Sequence, residues 1–547
     1  MAERREQMFP ALSAAQIARL TRIGKRREVS SGEIVFEEGE AIPGFYVVLS
    51  GEMAIVQRAD GGETTITVHH AGEFTGEVNM LTGRPSLVRA RMATAGELLA
   101  ISPEALRKIV QTDAELSELL MRAFILRRVA LITGSHGDTV LIGSTHSAAT
   151  LRIREFLGRN GQPFTYVDAD KDRGVQALLD RFGVGVADVP VLSCRNERVL
   201  KSPSNAEIAK CLGFNHELDP GAVHDVVVVG AGPAGLAAAV YAASEGLDVL
   251  VLEGNVAGGQ AGSSSKIENY LGFPTGISGE ALAARAFTQA LKFGAEVAIA
   301  RSATRLDCSR RPYELELSDG ARIKARAVVI ASGVQYRKLE CADLQQFAGI
   351  GVYYAAGAME AQLCADDEEV IVVGGANSAG QAAVFLSPRV KQVHVLVRGR
   401  GLSETMSRYL IGRIEGSPNI AVRAFHRVVG LEGNDHLERV RVEDTRSGEK
   451  KTLEVRHVFV MTGADPNTDW LKGCVALDPK GFVKTGPDLD RADLAGWQLA
   501  RPPHLLETSA QAVFAVGDVR SGSVKRVASA VGEGSACIQA VHRTLSE

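Results

Sequence analysis

The sequence predicts a multidomain chain. A small antiparallel β-barrel or jelly roll comes first, then a compact α/β unit, then two three-layer α/β units of the kind that bind nucleotides. Three observations predict this. With 547 residues the chain is too long for one core. Short alternating strands separated by Gly-rich turns fill its first part. Beyond residue 222, two Gly-rich turns each sit between a β-branched strand and an Ala-rich helix.

Composition narrows the class. Apolar residues make up 45% and charged residues 23%, with a formal net charge of -4. That is globular, and no overall basicity argues for nucleic acid. The start "MAERREQMFPALSAAQ" lacks an apolar core segment, so no signal peptide is expected and the chain reads as cytoplasmic. The uncharged stretch Val226 to Ala243 contains three Gly and a Pro, which reads as strand, turn and helix rather than a membrane span. Seven Cys stand at 194, 211, 308, 341, 364, 474 and 537, none in a C-x-x-C. The expectation is a reducing compartment without a disulfide framework, each Cys a small buried apolar residue. No His/Cys spacing resembles a metal site.

The elements follow in order. Residues 1–132 open with the helical "SAAQIARLTRI" and continue as strands "EIVFEEG", "GFYVVLSGEMAIVQR", "ETTITVHHAG" and "ELLAIS". They close with the helical "PEALRKIVQTDAELSELLMRAFILRRVALI", where apolar residues recur at helix spacing. Residues 137–215 read as strand "DTVLIGS", helix "AATLRIREFLGRNG", strand "FTYVDAD", helix "VQALLDRFG", then "DVPVLSC" and "RVLKSP". Strand, helix, strand with short connections implies a parallel pair. "FNHELDPGAVH" reads as a linker.

The strongest signal is "HDVVVVGAGPAGLAAAVYAASEGLDVLVLEG". A strand enters Gly230-x-Gly232-x-x-Gly235, a helix follows with Pro233 and Ala234 at its start, and a second strand ends in Glu253. The first Gly permits the turn, the second lets a pyrophosphate approach, and the third lets helix and strand pack. The helix N-terminus offers free N–H groups to phosphates, and the acid is placed to accept ribose hydroxyls. This is a Rossmann-like dinucleotide site. The second signature, "EEVIVVGGANSAGQAAVFL", carries Gly374, Gly375, Asn377, Ser378 and Ala379. Its next strand leads to Arg398 and Arg400 rather than an acid, which favours a 2'-phosphate and so NADPH over NADH.

Residues 222–547 resemble the low-molecular-weight thioredoxin reductases, a family of FAD and NADPH enzymes. "GGQAGSSSKIENYLGFPTGISG" is similar to the family's flavin-embracing loop, with Gly259, Gln260 and Asn269 at matching positions. "VVIASGVQYRKL", containing Gly333, and "VFVMTGADPNTDWL" resemble the segments leading out of and back into the FAD domain. "AVFAVGDVRSGSVKRVASAVGEGS" resembles the C-terminal flavin signature, where Gly517 and Asp518 would meet the ribityl chain and Lys525, Arg526 and Val527 would border the flavin. The resemblance implies an FAD domain at 222–335 and 466–547, an inserted NADPH domain at 336–465, a homodimer, and a rotating NADPH domain.

One part of the pattern is absent. The family's redox disulfide falls in "GVYYAAGAMEA", where Ala355 and Ala358 stand for the two cysteines and Met359 for the acid that follows them. Ala cannot exchange electrons with a disulfide. Residues 137–215 resemble a thioredoxin or glutaredoxin fold, through "DVPVL" and "VLIGSTHSAATLRIREFL". There Ser144, Thr145, His146 and Ser147 replace the C-x-x-C, and Pro190 matches the family's cis-proline. The unit is expected to be cysteine-less in function, its serines serving as helix caps. Residues 1–132 resemble a cyclic nucleotide-binding domain. Gly76 and Glu77 match the pair that cradles the phosphate, Ser86 aligns with the family's phosphate-binding Arg, and Arg84 is two positions early. A cyclic nucleotide, another anionic ligand or no ligand are open readings.

The expected function is an FAD-dependent oxidoreductase that takes hydride from NADPH and passes electrons to an external acceptor: ferredoxin, a quinone, a small molecule or oxygen. The chain ends at "CIQAVHRTLSE" without the extra segment of the family's ferredoxin reductases, which lowers that acceptor. The alternative is a ligand-responsive redox sensor with little turnover.

Overall fold

The structure, a computed structural model, describes residues 7–59, 62–76, 80, 84–133, 139–145, 147–171, 188–194, 198–215, 217–341, 343–434 and 436–547. Helix α1 (Ala14–Thr21) starts at Ser13, whose hydroxyl accepts from the Gln16 N–H while the Gln16 side chain accepts from the Ser13 N–H. This reciprocal capping box holds the entry turn. Strands β1 (Lys25–Val29), β2 (Ile34–Phe36), β3 (Phe45–Ala59), β4 (Gly62–His69) and β5 (Arg89–Ile101) follow. They form one antiparallel sheet in the order β1-β5-β3-β4, with β2 on β5. Phe45, Phe74 and Phe124 meet in its core. The stretch after β5 is helical as expected, in two pieces, α2 (Pro103–Thr112) and α3 (Ala114–Thr133). Asp113 is the reason. Its backbone is extended and its carboxylate accepts from the Leu116 N–H at 3.1 Å, so one Asp ends one helix and caps the next.

The second unit contains β6 (Val140–Gly143), α4 (Ala148–Arg159), β7 (Thr165–Asp168), β8 (Val191–Cys194), β9 (Arg198–Lys201) and α5 (Asn205–Cys211). Its sheet runs β7-β6-β8-β9, with β6 and β7 parallel as expected and the other pairs antiparallel. The helix expected over "VQALLDRFG" and the residue His146 lie outside the described residues. Val189–Pro190 is a cis peptide. Ser147 caps α4, accepting from the Thr150 N–H, and Ser144 donates to Asp170 at 2.6 Å.

The cysteines correct the sequence reading. Cys194 and Cys211 pair as a disulfide inside this unit, and Cys308 pairs with Cys474. The chain thus carries two cysteine pairs where no disulfide framework was expected, and neither falls at Ser144 or Ser147, the positions that read without cysteine. The pairs are 17 and 166 residues apart in sequence, so no local spacing signals them. Packing the ends of β8 and α5 together brings the first pair within reach. The second joins a segment before the insertion to one after it.

The third unit is built on β10 (Val223–Val229), β11 (Val249–Glu253), β12 (Glu296–Ile299), β13 (Ala303–Asp307), β14 (Tyr313–Leu317), β15 (Arg322–Ile330) and the late β26 (Val513–Ala515). The order is β12-β11-β10-β15-β14-β13, with the late strand on β15. Its all-Val centre, Val226 to Val229, is buried on both faces by α6 (Pro233–Ser244) and its neighbours. Helix α7 (Gly279–Phe293) follows the first loop. The chain then leaves through β16 (Val334–Tyr336) and returns through β25 (Ala464–Pro466), which pair antiparallel.

Between them lies a parallel sheet: β17 (Val352–Tyr353), β18 (Glu369–Val373), β19 (Gln392–Val397), β20 (Ile420–Ala424) and β24 (His457–Val460). Its order is β17-β24-β18-β19-β20. It carries the short α8 (Ala358–Ala361), α9 (Asn377–Leu386) and α10 (Arg408–Glu415). A three-stranded antiparallel meander, β21 (His426–Gly433), β22 (Leu437–Asp444) and β23 (Lys450–Leu453), lies beside it. The chain ends with β26 (Val513–Ala515) and α11 (Val527–Ser546), which packs on α6.

Candidate functional site

One cavity of about 710 Å³ runs between these units. It lies in the upper part of the size range usual for small-molecule sites, ~300–1,000 Å³. Its first wall is the Gly230 turn. Gly230 takes a φ of +108°, and a Cβ on Gly235 would stand 1.8 Å from the Gly230 carbonyl oxygen. Only glycine lets α6 start this close to β10. Gly232 differs: a Cβ there would meet nothing nearer than the Gly259 Cα, at 4.0 Å. That opening is a cradle of bare backbone, and Gly232, Pro233, Ala234 and Gly259 line it.

Glu253 ends β11 beside this cradle. Its carboxylate accepts from the Ala231 N–H and the Asn255 N–H, both at 2.8 Å. Burial pushes its pKa above the usual carboxylate range, against these two hydrogen bonds. Gln260 donates to the Val334 carbonyl. Asn269 and Gly333 also line the cavity. At its far wall Gly517 donates to Glu533 at 2.7 Å, and Lys525 donates to the Asp518 carbonyl at 3.0 Å. Asp518 is pushed up by burial, with Lys525 opposing the shift. Arg526 and Val527 place the N-terminus of α11 at the cavity, and no side chain caps it. A long anionic dinucleotide fits this set: open backbone, a helix N-terminus, and an acid for hydroxyl donors.

The second turn is brought to the same cavity only in part. Asn377 and Ser378, at the start of α9, line it beside Tyr336. Asn377 accepts from the Ser407 N–H at 2.8 Å. Gly374 turns with a φ of +144° behind them, where a Cβ would stand 2.4 Å from the Met461 carbonyl oxygen. Gly375 lies against Val397 and Ala379 is buried in the sheet–helix packing. Arg398 and Arg400 are exposed just after β19 and lie outside the cavity lining. Arg413 on α10 reaches Glu268 at 2.5 Å, tying the inserted unit to the loop between β11 and α7.

The cavity's last wall joins two units in a way the sequence did not signal. Ala355, where a cysteine was missing, lines it together with Tyr353, Tyr354, Glu360 and Leu363. Facing them are Ala148, Leu151, Arg152, Glu155 and Arg159 of α4. Arg159 donates to the Gly259 carbonyl at 2.8 Å and to Glu155 at 2.8 Å. Glu360 accepts from the Gly357 N–H at 2.8 Å, and burial raises its pKa, with Glu155 adding to the shift and Arg159 opposing it. Glu360 follows Met359 by one residue, so its acid was visible in the sequence, but its place in the cavity was not. Cys364 is no substitute thiol: burial pushes it up to about 12.

In the N-terminal unit the described expected residues bond to other parts of the protein. Gly76 takes a φ of +106° and its carbonyl accepts from Arg127 at 2.9 Å. Glu77 lies outside the described residues. Arg84 is buried and reaches the next unit, donating to the Asn160 carbonyl at 3.3 Å and stacking 4.4 Å over the Phe214 ring. Ser86 donates to the Val88 carbonyl at 2.7 Å. Arg127, which sequence reasoning missed, is lowered to about 9 by burial.

The description pyridine nucleotide-disulphide oxidoreductase matches residues 224–534, more than half of the chain. The chain belongs to that family. A second description, cyclic nucleotide-binding domain, matches residues 26–113. Among curated relatives, the thioredoxin reductase of Bacillus subtilis (strain 168) is 31% identical over 329 residues, covering 59% of this chain and 96% of the relative. That of Mycolicibacterium smegmatis is 31% identical over 330 residues, covering 59% and 97%. Among solved structures, T. acidophilum thioredoxin reductase matches at 29% identity with a TM-score of 0.53, covering 59% of this chain and 99% of that one. This pyridine nucleotide-disulphide oxidoreductase is thus thioredoxin reductase-like over its C-terminal part, with an N-terminal cyclic nucleotide-binding domain. Among the described residues no group of His, Cys, Asp and Glu could hold a metal, and no helix is long and apolar enough to cross a membrane.

Proposed function

We propose that the chain is an FAD-dependent NADPH oxidoreductase that delivers electrons to an external acceptor, without a redox disulfide of its own at the flavin. One observation carries this reading: the Gly232–Gly259 cradle, the start of α9 and Ala355 all line a single cavity. FAD, when bound, accepts two electrons from NADPH and returns them to an acceptor. The residues do the rest. Gly230, Gly232 and Gly235 let the pyrophosphate approach the N-terminus of α6, and Glu253 takes the ribose hydroxyls. Gln260, Asn269, Gly333, Asp518 and the Lys525–Val527 run border the flavin end. Asn377 and Ser378 receive the second nucleotide, and Arg398 and Arg400 its 2'-phosphate. Ala355 and Ala358 have no sulfur, so the family's internal relay is absent.

Residues 137–215 are read as a thioredoxin-like module that carries no thiols at Ser144 and Ser147. The N-terminal domain is read as the seat of an anionic ligand, a cyclic nucleotide by class. The contact of Arg84 with Asn160 supports a link from that domain to the second unit, whose α4 lines the cavity, and keeps a sensing role as the second reading. The test is anaerobic stopped-flow mixing with NADPH. The purified protein should be yellow, bleach on mixing and reoxidise with an acceptor, while thioredoxin remains oxidised. Failure to bleach would sink the enzyme reading. Bleaching without turnover on any acceptor would favour the sensor.

A further inference from the structure

The end of the cavity around Ala355 has no assigned occupant. Its surfaces are apolar and aromatic: Ala148 and Leu151 on one side, Tyr353, Tyr354, Ala355 and Leu363 on the other. Its two arginines are committed. Arg159 bonds to Glu155 and the Gly259 carbonyl, and Arg152 bonds to the Asn205 side chain and the Pro203 carbonyl at 2.5 Å. Glu155 is held by Arg159, so the group left to a ligand is the Glu360 carboxyl, one oxygen of which accepts from the Gly357 N–H. Such a site disfavours an anion and suits a neutral planar molecule that needs a proton.

Helix α4 also limits what can enter. It packs so closely on the Ala355 segment that a Cβ on Gly349 would stand 2.7 Å from the Ala148 Cβ. Its unit is held in place at several points. Asn215 exchanges two hydrogen bonds of 2.7 Å with Ile299, Asn205 donates to Asn255 at 2.6 Å, and Phe156 shares a core with Val256 and Ile299. A protein acceptor would have to displace this unit before reaching the cavity from that side.

Resting on the function proposed above, we propose that the pocket between α4 and the Ala355–Leu363 segment binds a small neutral acceptor of the quinone class, with Glu360 as its proton donor. The reaction balances as NADPH, a proton and the quinone giving NADP+ and the hydroquinone. The quinone gains two electrons and two protons. One proton arrives with the electrons passed on from NADPH. The other comes from the Glu360 carboxyl, which is refilled from water. Burial keeps that carboxyl protonated further up the pH scale than an ordinary Glu, and the groups facing it are Glu155, Arg159 and the Gly357 N–H.

Menadione is the probe, with the full chain. Calorimetric titration should show one site, and Ala355→Trp should weaken it at least tenfold. This readout needs no turnover, so it separates failure of the pocket from failure of the enzyme reading. Reoxidation of the NADPH-reduced protein by menadione should outpace reoxidation by a protein disulfide at least 100-fold. It should slow as pH rises through the Glu360 pKa. Glu360→Gln should slow it roughly 100-fold and flatten that pH profile. Absence of menadione binding, binding indifferent to Ala355→Trp, an unchanged pH profile in Glu360→Gln, or a protein disulfide reacting as fast as menadione would each overturn the proposal.

Discussion

The chain contains two strand–turn–helix units built to one plan, and their differences are instructive. The Gly230 turn ends in the tight helix packing that Gly235 permits, and it presents bare backbone at Gly232. The Gly374 turn keeps the strained first glycine but has Ala376 as the residue capping α9 and Ala379 where Gly235 stands in the first. Only the start of its helix reaches the cavity. The strand after the first turn ends in the inward Glu253, and the strand after the second leads to the exposed Arg398 and Arg400. On the function proposed, the first unit would hold its nucleotide closely, and the second would offer a looser seat with a cationic outer end for one that comes and goes.

The sharpest way to break this comparison is to add one carbon. Gly235→Ala puts a Cβ 1.8 Å from a backbone oxygen, so the protein should lose more than about 4 kcal/mol and be isolated without flavin. Absorbance near the flavin band and thermal unfolding would read this. Ala379→Gly at the matching position should cost about 1 kcal/mol, the helix penalty of glycine. Equal effects at the two sites would remove the distinction.

The outer ends come next. Arg398→Ala combined with Arg400→Ala should raise the KM for NADPH by roughly 10- to 100-fold and leave that for NADH nearly unchanged, the worth of hydrogen bonds to a charged group. Glu253→Gln should weaken flavin binding by about tenfold, measured by fluorescence titration. Flavin affinity in the parent should also fall with pH. The folded pKa of Glu253 lies above its ordinary 4.5, so the accepting carboxylate is lost as pH drops through that raised value, in a window beginning above 4.5. The smallest effect belongs to the tie between the two units. Glu268→Ala removes an ion pair with a half-exposed Arg413, worth about 1 kcal/mol at most, and should slow flavin bleaching by NADPH no more than about fivefold.

Much of this was legible in the residues. The pattern of β-branched strand, spaced glycines and terminal acid gave the Gly230 turn, because each part acts within about 20 residues of the others. The parallel pairing of β6 with β7 followed from strand–helix–strand spacing. The stretch after β5 is helical as read, but the break at Asp113 was not legible, since helical periodicity continues across it although the helical backbone does not.

The cysteines and α4 failed for another reason. Nothing in the order of residues indicates that Cys308 lies against Cys474, or that Glu155 and Arg159 share a cavity with Glu360. By itself the sequence determined the two nucleotide turns, the acid and the basic pair that distinguish them, and the absence of sulfur at Ala355 and Ala358. Those are statements about local backbone geometry and side-chain chemistry. Only the tertiary structure decided what stands opposite the missing cysteines: a helix from another unit, a buried carboxyl and an apolar pocket. Contacts between segments 200 residues apart arise from how whole sheets and helices pack, and no local spacing carries that information.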